Sequence, residues 1–116
     1  MVSCCQKEGI PVKALIVDDD QFVRKCIQNM ISWKAIGFDQ TLEAENGVAA
    51  YQLALEKNPD LIITDIKMPI MDGLELVEKL RGAVLDVDII VLSAYNDFEY
   101  ARKAMRFGVR DFVLKP

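Results

Sequence analysis

Residues 61–73 read Leu-Ile-Ile-Thr-Asp-Ile-Lys-Met-Pro-Ile-Met-Asp-Gly. The first four are apolar or β-branched at successive positions. A half-exposed strand would alternate; an unbroken run is the pattern of a strand covered on both faces. The run stops at a carboxylate, Asp65. Beyond it, Pro69 fixes a backbone turn and Gly73 can supply an unusual φ, so the segment reads as a buried strand followed by a shaped loop.

The same form recurs on either side. Ala14–Val17 runs into Asp18-Asp19-Asp20, Ile89–Leu92 into Ser93, and Phe112–Leu114 into Lys115-Pro116. Gln40–Ala44 is a weaker strand with mixed alternation. Between the runs lie helical spacings: Val23, Ile27, Met30 and Ile31; then Val48, Tyr51, Leu53 and Leu55, opened near Asn46-Gly47 and ended by Asn58-Pro59; then Leu74, Val77 and Leu80, stopping near Gly82; then Phe98, Ala101, Ala104 and Met105, with Asp97 as cap and Gly108 as stop. Strand and helix alternate from β to β. That order predicts an α/β fold with a doubly wound, five-stranded parallel sheet carrying helices on both faces. A fifth helix would normally cover the last strand, and the chain stops at Pro116 before one.

Ligands of such sheets collect at the carboxyl ends of the strands. The residues just past the apolar runs are therefore expected to share one small cleft: Asp18, Asp19, Asp20, Asp65, Ser93 and Lys115. Crowded carboxylates repel one another and resist simultaneous ionisation. A hard divalent cation resolves the conflict, because carboxylate and carbonyl oxygens are Mg²⁺ ligands. Asp18, Asp19 and Asp65 with one Mg²⁺ and Lys115 bring the site close to neutrality. A neutralised carboxylate beside an ammonium can approach a phosphoryl group, and aspartate is a phosphoryl-accepting nucleophile. Taken singly these residues have plainer roles: Asp20 as a helix cap, Ser93 as a turn residue, Lys115 as a solvated charge. Their arrival together at one edge favours the shared site.

Composition narrows the chemistry. The 116 residues carry 14 basic and 18 acidic side chains, a formal charge of −4, with 52% hydrophobic and 28% charged content. One compact domain of ordinary size fits, and a disordered chain does not. The absence of His removes His-based triads, His-rich metal sites and imidazole proton shuttling. A mildly acidic chain gives no support for binding nucleic acid itself, and no apolar run reaches membrane-spanning length. Cys4, Cys5 and Cys26 form no zinc or disulfide spacing. Reduced thiols fit a cytoplasmic setting. Residues 1–11 read as a polar lead-in, with the domain running from 12 to 116. Residues 99–116 hold five basic and two acidic side chains. Arg102, Lys103, Arg106 and Arg110 thus make the fourth helix and the turn after it locally basic, either a solvated face or a surface for a partner.

Together, Asp18-Asp19 after Leu-Ile-Val, Asp65 within LIITDIKMPIMDG, Leu92-Ser93-Ala94 and Lys115-Pro116 make the chain resemble the receiver domain of two-component response regulators, over about Val12 to Pro116. The resemblance implies a flavodoxin-like sheet of order 2-1-3-4-5 and a phosphoacceptor switch charged by a sensor histidine kinase. It implies that Asp65 accepts the phosphoryl group, and that Asp19, Asp65 and the Lys67 carbonyl bind Mg²⁺ directly while Asp18 acts through a bound water. Ser93 and Lys115 would hold the phosphoryl oxygens. Ala94 would leave access to Asp65, Phe112 would be the switch aromatic, and Lys67 and Tyr95 would tune hydrolysis. Such a domain assists its own phosphorylation and dephosphorylation without being a conventional enzyme, and can form homodimers when phosphorylated. Tyr95–Ala101, Ser32-Trp33 and Gly37-Phe38 are similar to receivers joined to AraC-type DNA-binding domains, so any DNA contact belongs to an output domain beyond Pro116. Asp20 stands where many receivers have Glu.

Three other readings compete. Asp18-x-Asp20 after a strand fits a haloacid-dehalogenase-like phosphatase with Asp18 as nucleophile, although that family's later acidic motif is lacking. A flavin-binding module would need a Ser/Thr-rich first loop, where three aspartates would repel the phosphate. A receiver kept purely for interaction would not need its acidic pair, Asp65, Ser93 and Lys115 intact.

Overall fold

A computed structural model describes residues 11–83, 85–93 and 98–114. Cys4, Cys5, Ala94, Tyr95, Asp97 and Lys115 lie outside the described residues, as do the side chains of Phe98, Ala101, Phe112 and Leu114. The strands are β1 (Lys13–Val17), β2 (Gln40–Ala44), β3 (Leu61–Asp65), β4 (Asp88–Ser93) and β5 (Asp111–Leu114). The helices are α1 (Gln21–Met30), α2 (Gly47–Lys57), α3 (Gly73–Gly82) and α4 (Phe98–Met105), with a short 3-10 turn at Lys34–Ile36. All strand pairs are parallel, in the order β2-β1-β3-β4-β5. The weak β2 pattern and the expected sheet order both hold.

The two faces of the sheet are covered unequally. Leu15, Val17, Ile62, Ile89 and Val91 point into one continuous core with Ala50 and Ala54 of α2, Leu76, Val77 and Leu80 of α3, and Ala104 of α4. On the other face lies α1. Ala14 and Ile16 are sealed there, but α1 itself contains no buried residue. Met30, expected on its apolar face, is 75% exposed, and Val113 of β5 is 46% exposed. Elsewhere small residues take the seams. In α2 the buried positions are Gly47, Ala50 and Ala54, while Val48 and Leu55 face outward. In α4 Ala104 is buried and Met105 exposed. Alanine lets a helix approach the sheet more closely than a branched side chain would.

Helix starts follow from side-chain caps. The Asp20 carboxylate accepts from Phe22 N at 2.9 Å and opens α1. Asn46 accepts from Ala49 N and opens α2, which closes on Asn58 in the left-handed region. Asp72 and Glu75 form a reciprocal capping box at the start of α3. Since few apolar contacts hold α1, polar ones matter more. Arg24 donates from Nε to Glu43 Oε1 of β2 at 2.7 Å and from Nη1 to the carbonyl of Asp18. Gln28 adds a bond to the other Glu43 oxygen at 3.0 Å. The Arg24 hydrogen bond, aided by the charge of Lys25 and by Gln28, holds the Glu43 carboxyl below its ordinary value against the opposing effect of burial.

Among the described glycines, the one that closes the β3–α3 loop makes the closest approach to neighbouring backbone. Gly73 N donates to Ile66 O at 2.7 Å. A Cβ on Gly73 would sit 2.2 Å from the Asp65 carbonyl oxygen and 2.8 Å from Ile66 Cα. The expected role for Gly73 is therefore corrected: its φ is not positive, and its smallness is needed for close approach. The positive φ of this loop falls on Ile70, at 73°. Met71 N bonds Pro69 O across it at 2.8 Å, the three-residue bridge of a γ-turn. A β-branched residue there stores strain of about 1–3 kcal/mol.

Two outcomes follow. Gly73→Ala will lower the unfolding free energy by about 3 kcal/mol, read by urea denaturation, because backbone atoms rather than a pliable side chain meet the new methyl. Glu43 contributes stability above its unfolded value of 4.5 that is lost as the pH falls through its lower folded value. Glu43→Gln will therefore be less stable than the parent at pH 7, with the gap shrinking as the pH drops below 4.5 in parallel denaturation curves.

Candidate functional site

β1 and β3 are neighbours, and Val17 pairs with Thr64. The next residue on each strand is a carboxylate, so the register alone sets Asp18 beside Asp65. Carboxylate oxygens of Asp18, Asp19 and Asp65 lie within 4.8 Å of one another. Asp18 is 0% and Asp65 5% exposed, whereas Asp19 faces solvent. The cluster is thus two sealed acids with one open to incoming ligands.

The backbone supports both buried acids. Asp20 N donates to Asp18 Oδ1 at 2.9 Å, and Ile66 N to Asp65 Oδ1 at 2.7 Å. Thr64 Oγ1 bonds the Asp65 carbonyl at 2.8 Å. Behind Asp18, Arg24 grips the main-chain oxygen. Neither Thr64 nor Arg24 was picked out by the sequence. Thr64 read as part of an apolar run, and Arg24 as one charge on a helix; nothing local marks either as a support.

Ser93 ends β4 almost wholly buried, one residue past the Leu92 that pairs with Asp65. Lys67 is exposed on the β3–α3 loop, its Nζ 5.0 Å from the ring centroid of Tyr100 in α4. Asp20 does not join the cluster; its carboxylate is engaged as the α1 cap. Lys115 lies outside the described residues, although β5 delivers the chain to the same edge, Leu114 pairing with Ser93.

The donor set suits a hard cation. Three carboxylates crowd together with no thiolate or imidazole among them, the oxygen chemistry that Mg²⁺ prefers and softer metals do not require. Both buried acids keep one oxygen on a backbone N–H, which fixes their orientation.

The model of the response regulator receiver domain matches residues 14–116. The transcriptional regulatory protein YesN of Bacillus subtilis is 41% identical over 104 residues, which is 90% of this chain and 28% of that protein. HptR of Staphylococcus aureus is 38% identical over 90% of this chain and 40% of its own length. The chain therefore spans less than half of these relatives. Among solved structures, the receiver domain of AraT from Geobacillus stearothermophilus superposes with a TM-score of 0.85 at 38% identity, covering 92% of this chain and 83% of that one. A two-component transcriptional regulator AraC from Clostridium phytofermentans gives 0.82 at 40% identity, over 90% and 81%. With its acids gathered at the β1–β3 edge and its family pattern matched from Ala14 onward, the chain belongs to the response regulator receiver domains.

Proposed function

We propose that this chain is a phosphoacceptor switch in which Asp65 takes a phosphoryl group from the phosphohistidine of a sensor kinase. The observation that carries the reading is the gathering of Asp18, Asp19 and Asp65 oxygens within 4.8 Å at the ends of two adjacent strands. Asp19, Asp65 and the carbonyl of Lys67 would hold Mg²⁺, with Asp18 reaching it through water. Bound there, Mg²⁺ would neutralise charge on the carboxylates and the entering phosphoryl group.

In the transfer, an Asp65 carboxylate oxygen bonds to phosphorus as the donor's phosphorus–nitrogen bond breaks, and the electron pair leaves with the imidazole. The Ile66 N–H donates to Asp65 Oδ1 and orients the attacking carboxylate. Ser93 and Lys115 would receive the phosphoryl oxygens. Their contacts exist only in the modified state, so they can bias the conformational equilibrium toward it. The readout would pass through α4 to a second protomer or to an output domain that regulates transcription, as the descriptions of YesN and HptR suggest. This chain would be a cytoplasmic domain from residue 12 onward, assisting its own phosphorylation without turning over a separate substrate. Among the described residues no helix is long and apolar enough to cross a membrane.

The phosphatase reading, with Asp18 as nucleophile and Asp20 as its acid–base partner, loses support because Asp20 is committed to the α1 cap. Incubation with a small-molecule phosphodonor will add one phosphoryl group, read by intact mass, only when Mg²⁺ is present. Asp65→Asn will abolish the gain. Labelling that survives Asp65→Asn and disappears in Asp18→Asn would instead establish the phosphatase. Lys115→Ala will still accept phosphate but will weaken phosphorylation-linked dimerisation in sedimentation runs; dimerisation at parental strength would remove Lys115 from the switch.

A further inference from the structure

Lys67 stands two residues beyond Asp65, and its ammonium is stacked on the Tyr100 ring in the first turn of α4, 5.0 Å from the centroid. The same ring takes Lys103 Nζ at 5.9 Å. The second contact joins residues one turn apart on a single helix. The first is tertiary: it ties the loop that follows the acceptor to α4. Two ammonium groups sharing one ring also repel each other, which weakens each ring contact. An exposed cation–π contact is weaker than a charge-assisted bond to an anion, and a phosphoryl group on Asp65 would place an anion at the start of the same loop.

We infer that Tyr100 is a positioning residue for Lys67. Its ring holds the ammonium against α4 while Asp65 is unmodified and releases it toward the phosphoryl oxygens when Asp65 is charged. The inference rests on the phosphoacceptor reading and adds to it a residue outside the acidic cluster. Linkage fixes the direction: a contact made only in the unmodified state opposes modification by its own free energy. Removing the ring therefore makes the phosphoryl state easier to reach. Release also has a structural consequence, since α4 keeps Lys103 on its own surface but loses this ring contact with the β3–α3 loop.

Beryllofluoride, which mimics a phosphoryl group on a carboxylate, tests this when titrated in excess Mg²⁺ by calorimetry. Tyr100→Ala should bind it about two- to fivefold more tightly, the span that an exposed cation–π contact carries. Tyr100→Phe keeps the ring and should stay near the parent. In a Lys67→Gln background, Tyr100→Ala should have no further effect. An independent arm reads the contact alone: the Lys67 ε-methylene protons should show an upfield ring-current shift that Tyr100→Ala removes and Tyr100→Phe retains. An unchanged affinity in Tyr100→Ala, an effect that persists without Lys67, or a missing ring-current shift would overturn the inference while leaving the phosphoacceptor reading in place. A parent chain that shows the shift but takes up no beryllofluoride would overturn both.

Discussion

The repulsion between Asp18 and Asp65 is the constraint around which the rest of the molecule is arranged. Two full charges at about 5 Å cost on the order of 3 kcal/mol at an effective dielectric of about 20. That is a sizeable share of the roughly 5–15 kcal/mol that holds a domain folded. The chain nevertheless seals both groups from water. Backbone N–H groups of Asp20 and Ile66 offset part of the cost by donating to one oxygen of each acid. Arg24 offsets more by placing a guanidinium behind the Asp18 carbonyl while Glu43 balances it from β2. The third acid, Asp19, meets solvent at the open side of the cluster. A cation and a phosphoryl group are the natural pair to complete such a site.

The sheet order explains why the acids meet. From β1 the chain moves to one side, to β2; from β3 it moves to the other, to β4. The strands on either side of that divergence are adjacent, and the crevice outside their carboxyl ends is where open α/β sheets place ligands. Pairing of Val17 with Thr64 then leaves no freedom in the next residue of either strand. The loop beyond Asp65 is shaped by the same demand. Gly73 brings the start of α3 against the Asp65 backbone, and Ile70 absorbs the resulting turn in an unfavourable conformation. Proximity at the site is thus obtained at the expense of local backbone comfort.

The strands and the acidic cluster were legible because both depend on one-dimensional patterns. Buried parallel strands must be apolar at successive positions, and the next residue must sit at the strand end. Helix faces were less legible. Periodicity singled out Met30, Leu55 and Met105, yet all three are exposed; it also picked Ala104, which is buried, but passed over Ala50 and Ala54, which fill the α2 seam. Size, not hydrophobicity, decided those positions, and how closely a helix approaches a sheet is set by the partner surface. Gly73 was noticed for its backbone freedom when its lack of a side chain mattered. The roles of Arg24, Glu43 and Tyr100 were not legible for a common reason: each acts through a partner on another element, and a charged or aromatic residue on a helix or edge strand carries no local mark of that partner.

Among the described residues, the helices packed on the core face are fastened to different degrees. The α2–α3 side is fastened by a continuous apolar core. Among the described side chains of α4, Ala104 alone is buried, while Tyr100 and Met105 stand partly in solvent. A single alanine contributes little burial free energy, on the order of 1 kcal/mol. Small residues let a seam slide at lower cost than branched ones do, and differential binding of a few kcal/mol is the scale that shifts a two-state equilibrium. Fastened by a large branched side chain, the helix would resist the contacts that one phosphoryl group can make. Under the proposed phosphoacceptor role, the small residue at the α4 seam and the cation–π tie at its first turn would be parts of one arrangement, both helping to define the unmodified state and both open to change by a new charge on Asp65.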